Sequence, residues 1–118
     1  MAHRYKAYAA ETGTAYRYFF AGSRRVTRPE GQGAGSDYVF AVTADQMSPF
    51  ILRVFVSERA LGAWRKIHGR ALEPNEVYAV AKMRLFRAFD EVEALRDEGL
   101  NLLVDEGNIQ DLLAPLDL

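Results

Sequence analysis

The side chains here whose types and spacing suit chemistry are cations interleaved with aromatic rings. Arg4, Lys6, Arg17, Arg24, Arg25 and Arg28 alternate in the first thirty residues with Tyr5, Tyr8, Tyr16, Tyr18, Phe19 and Phe20, and only Glu11 and Glu30 oppose them. Stacking rings beside cations that track a phosphate backbone are what a sheet needs to hold single-stranded nucleic acid. The same pattern also describes an amphipathic hairpin with its aromatics inward and its arginines in water. Arg17, Arg24, Arg25 and Arg28 are therefore the candidate contacts for a nucleic acid or an acidic partner.

Other constellations fall short of their chemistry. A metal site needs several ligands, and the chain offers two histidines, His3 and His68, far apart, with no cysteine. None of Ser23, Ser36, Ser48 or Ser57 sits in a nucleophile elbow. The acidic runs 90–98 and 105–106 are more simply a solvated rim than paired catalytic carboxylates. The glycine-rich Gly31–Ser36 lacks the Lys-Ser/Thr of a phosphate loop, and the segment after it reads as a strand rather than a helix. No cofactor is expected, and no catalytic residue stands out. An enzyme would need a pocket joining Tyr78, Arg53 or His68 to an acid.

The totals set the frame for these residues. At 118 residues, 49% hydrophobic and 26% charged, the chain reads as one domain spanning residues 1–118 with a core of its own. No apolar run approaches the roughly 18 residues of a membrane span, and MAHRYKAYAAETG has no apolar core of a signal peptide. A cytoplasmic protein without membrane contact is the expectation. The net charge of −1 hides an asymmetry, +6 over residues 1–70 and −7 over residues 71–118. Interleaving of the two halves in a compact fold would cancel much of it.

Residues 4–10 and 15–21 alternate as strands joined by Glu11–Thr14, with Tyr16, Tyr18 and Phe20 on one face and Arg17 and Phe19 on the other. Residues 22–37 hold four glycines, a proline and three arginines, and read as a flexible loop. Strands at 38–44 and 50–56 follow, the second apolar on both faces apart from Arg53. Ser57 is a candidate cap for a helix at 58–68 that Gly69 closes. Leu100–Asp105 is a candidate fifth strand, and Asn108 a candidate cap for a short last helix that Pro115 ends. Strands first and helices after them predict an α+β fold: an antiparallel β-meander of four strands, with a fifth as an option, and two or three helices packed on one face.

The rest is organised around residues 74–92, PNEVYAVAKMRLFRAFDEV. At helical spacing Val77, Tyr78, Ala81, Leu85, Ala88, Phe89 and Val92 share an arc about 120° wide. Val80, Met83 and Phe86 form a second, thinner apolar stripe. Either the chain itself covers that stripe or it is a contact surface for another protein, a homodimer seam above all. Association through Val80, Met83 and Phe86, or through the edge of the aromatic hairpin, is the leading functional expectation, and a nucleic-acid-binding module is the alternative.

Overall fold

A computed structural model of the chain describes residues 4–29, 31–45, 48–93, 95–96 and 102–118. His3, Glu30, part of the expected 45–49 turn, Asp97 and Glu98 of the acidic run 90–98, and the first two residues of the expected fifth strand lie outside the described residues. The fold is α+β, as the element order predicts. Strands β1 (Lys6–Ala9), β2 (Ala15–Arg28), β3 (Gly33–Ala44) and β4 (Phe50–Ser57) form an antiparallel meander. Helices α1 (Glu58–His68) and α2 (Pro74–Glu91) then return the chain to β5 (Leu102–Val104), and α3 (Ile109–Leu113) and a 3-10 turn close it. The sheet order is β1-β2-β3-β4-β5, and β5 pairs with β4 in parallel. Parallel pairing follows from the crossover, because two helices carry the chain back to the starting end of the sheet.

Local chemistry sets the helix ends. The Ser57 hydroxyl accepts the Ala60 N–H at 3.0 Å, and the Gly69 N–H donates to Arg65 O at 2.8 Å. Pro74 opens α2 at a position where its missing N–H leaves no bond unmade. Glu76 accepts the Glu73 N–H at 2.8 Å and is gripped by both Arg70 guanidinium nitrogens at 2.9 and 3.0 Å. The Arg70 fork, and then the Glu73 N–H, pull its carboxyl down to about 2. Asn108 does not cap α3 as its position suggests. Its side chain instead accepts the Asp105 N–H and donates to Leu103 O, both at 2.8 Å, fixing the turn from β5 into α3.

The buried core lies between the sheet and the helices. Tyr16, Tyr18, Phe40, Val42, Leu52, Val54 and Val56 point inward from the strands. They meet Ala60 and Trp64 of α1, Ala81, Leu85, Ala88 and Phe89 of α2, and Ile109, Leu112 and Leu113 of α3. Burial of these apolar side chains, worth roughly 1.5–3 kcal/mol for each large one, is what holds the helices to one face.

The expected flexible loop at 22–37 is absent as such. β2 runs on to Arg28 and β3 begins at Gly33, so most of that stretch is a paired ladder from Gly22↔Val39 to Arg28↔Gly33. Of the glycines that suggest a loop, Gly35 has a packing reason. A Cβ on Gly35 would lie 2.7 Å from Phe55 Cζ and closer still to Val56 O, so only glycine fits beneath β4. Between Phe20↔Phe40 and Gly22↔Val39 the register shifts by one residue. Ala21 is the extra residue of a β-bulge, and Gly22 takes a φ of 143° that other residues avoid.

Candidate functional site

The thin stripe on α2 belongs to the interior. Val80 is fully buried. Phe86 stacks on Tyr8 of β1 with centroids 4.6 Å apart and rings 9° from parallel, and it meets Tyr18 edge-on at 5.6 Å. Met83 is half-buried and lines a hollow of about 360 Å³ with Tyr8, Asp90, Leu112 and Pro115. The chain's own β1 and α3 therefore flank the stripe, with Met83 and Phe86 half-buried at the wall of that hollow. The reason is that β1 lies across the far flank of α2, which helical periodicity alone does not reveal.

What the fold leaves open is the other side of the sheet. Residues paired across antiparallel strands share a face, so the register maps this outer face directly. Tyr5 sits beside Phe19, ring centroids 4.9 Å apart and edge to face. Phe19 faces Ala41, which faces Ile51. This apolar row is flanked on one side by Arg17, opposite Thr43, and on the other by Arg53, opposite Val39, with Arg24 one row beyond. Ile51 is 48% exposed, and Arg17, Arg24 and Arg53 are exposed. Ala41 and Phe55, buried on this face, stand apart from the cluster that holds the helices.

The four predicted cations separate. Arg17 and Arg24 stand on the outer face, and no carboxylate pairs with either among the described residues. Arg28 also points outward, but it holds the buried Asp37 at 2.8 Å and lies over the Phe55 ring, 5.1 Å from its centroid. That contact roofs the outer end of the sheet. Arg25 turns to the helix side and pairs with Glu58 at the start of α1. Sequence spacing gives Arg53 no place among the binding cations: its signal there is that it interrupts the apolar run FILRVFV. It joins Arg17 and Arg24 through the β3–β4 register, information that no single segment carries.

Tyr78, Arg53 and His68 do not converge. Tyr78 is on the helix side with Phe20, Tyr38 and Phe40 around its ring, and Arg53 is across the sheet from it. His68 stacks on Trp64 with centroids 4.1 Å apart and shares a 3.0 Å hydrogen bond with Gln110, tying α1 to α3.

A second cationic place lies where β1 enters the sheet. Arg4, Lys6, Tyr18, Phe19, Phe20 and Tyr78 line a cleft of about 230 Å³. Lys82 stands over the Tyr78 ring, 5.5 Å from its centroid. Burial, and then the nearby Lys6 charge, lower the Lys82 pKa. Burial likewise raises the Tyr18 and Tyr78 hydroxyls, which stay neutral.

Among the described residues no helix is long and apolar enough to cross a membrane. Comparison with protein-family models, with curated proteins and with solved structures returns no match.

Proposed function

We propose that the protein is a non-enzymatic binding module whose outer sheet face takes single-stranded nucleic acid. The observation that supports this reading is the apolar row Tyr5–Phe19–Ala41–Ile51 with Arg17, Arg24 and Arg53, which form no ion pair among the described residues, on its two sides. A base lies against such a row at little cost in specificity, because every base has an apolar face. Flanking guanidiniums meet the phosphates, and Asp37, the carboxylate opposite Arg24 across the strands, is already held by Arg28. The net charge of the whole chain, −1, does not oppose this, since binding responds to the local field of the face.

Self-association, suggested by the second stripe on α2, has less support. Phe86 and Val80 serve the core, and stacking two outer faces would bring arginine onto arginine.

The test is fluorescence anisotropy with a labelled oligonucleotide of about 12 nucleotides, within the usual span of a single-strand site. Binding should weaken steeply as salt rises, and Arg17→Ala/Arg24→Ala/Arg53→Ala together should reduce the logarithmic salt slope by about 2, at roughly 0.7 per lost phosphate contact. Arg25→Ala, which removes a cation from the helix side, should change the slope far less. No binding at about 50 mM salt, or a triple variant with the parental slope, would remove the reading.

A further inference from the structure

From the cleft where β1 meets β2 and α2, we infer that the protein has a separate site for a phosphate monoester carried on a planar ring, the chemistry of a nucleoside 5′-monophosphate. The cations argue for the phosphate. Arg4 and Lys6 enter the cleft from the start of β1. Lys82 approaches from α2, its ammonium over the Tyr78 and Phe86 rings at 5.5 and 5.9 Å. Among the described residues none of the three has a carboxylate partner, and no carboxylate lines the cleft. Lys6 lies close enough to Lys82 to repel it: burial first, and then the Lys6 charge, lower the Lys82 pKa. A bound dianion relieves the repulsion and supplies the missing counter-charge.

The walls argue for the ring. Phe20 is 38% exposed beside Tyr78, with ring centroids 4.9 Å apart, so an aromatic surface is open next to the cations. Inorganic phosphate leaves that surface wet, and an uncharged nucleoside leaves the cations unpaired. Only a ligand with both parts uses the whole cleft.

Such a phosphate has two sources, a free mononucleotide or the 5′ end of a strand, and the inference does not depend on the outer face binding a strand. The experiment is a calorimetric titration of the full chain with AMP, adenosine and inorganic phosphate. AMP should bind at least about tenfold more tightly than either fragment. Lys6→Gln and Lys82→Met should each weaken AMP by about tenfold while melting as the parent does, Met keeping the apolar stem over Tyr78. If Lys82→Met lowers the melting temperature, Lys6→Gln carries the same readout from an exposed position. No saturation up to about 1 mM AMP, equal binding of AMP and adenosine, or unchanged affinity in Lys6→Gln would overturn the inference. Comparing 5′-phosphorylated with 5′-hydroxyl oligonucleotides then separates the sources: a strand end is indicated if the phosphate tightens binding in the parent but not in Lys6→Gln, and a free mononucleotide if it makes no difference.

Discussion

The Tyr8 hydroxyl donates a 2.7 Å hydrogen bond to Oδ2 of Asp90, 82 residues away along the chain. The other carboxylate oxygen accepts the Glu11 N–H at 3.0 Å. One side chain of α2 thereby holds both β1 and the turn that follows it. Burial, then the hydrogen bond to Asp90, then the Asp90 and Glu11 charges, push the Tyr8 pKa up to about 12. The folded chain therefore holds the proton more tightly than the unfolded one, whose tyrosines titrate near 10. The contribution of this group to stability is fully present below about pH 10 and fades as pH rises from there towards 12. Tyr8→Phe should cost about 1.5 kcal/mol at neutral pH, since it strips a bond from a charged acceptor. It should also flatten the alkaline fall in stability over that window. Urea melts of both proteins between pH 8 and pH 11 check this, and parallel alkaline curves would exclude the Tyr8–Asp90 bond as the cause.

Phe86 separates the two roles once open to the second stripe of α2. Stacked on Tyr8 and edge-on to Tyr18, it is part of what fastens β1 to the helix. Phe86→Asp should therefore destabilise the fold by about 3 kcal/mol, the scale of removing a large packed ring, without changing the mass seen by sedimentation equilibrium. A variant that melts like the parent but halves in mass would restore the seam.

The sequence reveals those parts of the fold whose signals are local. The limits of α1 follow from Ser57 and Gly69, and Pro74 marks the start of α2. The α+β order follows from where the alternating and helical segments fall. Signals that depend on a neighbour stay hidden. Gly35 looks like loop chemistry until Phe55 is seen against it. Val80 and Phe86 look like a free stripe until β1 and the helical layer cover them. Which strand β5 pairs with has no sequence mark, although the two helices before it suit a parallel return. The candidate site is legible only in part: the cation-and-aromatic composition marks the right third of the chain, but strict alternation groups Arg17 with Arg25, whereas the bulge groups Arg17 with Arg24 and Arg28.

That regrouping turns on one residue. Ala21 is left out of the ladder, so Gly22, Arg24, Val26 and Arg28 continue the face begun by Arg17 and Phe19. Had Ala21 been paired, the slip of one position would send Arg24 and Arg28 to the helix side and bring Arg25 out. Two variants test the consequence in opposite directions. Deleting Ala21 removes the extra residue and leaves every other pairing in place, so the outward arginines stay outward. Folding and the salt slope of strand binding should both persist. Gly22→Val places a β-branched side chain at a φ of 143°, a strain of about 1–3 kcal/mol. β2 can escape that strain only by reopening or slipping its register. The variant should melt lower, lose the cross-strand proximity of Arg24 to Asp37 in nuclear Overhauser spectra, and bind with a shallower salt slope. A folded Ala21 deletion that no longer binds, or a Gly22→Val protein with the parental slope, would break the link between the bulge and the cationic face.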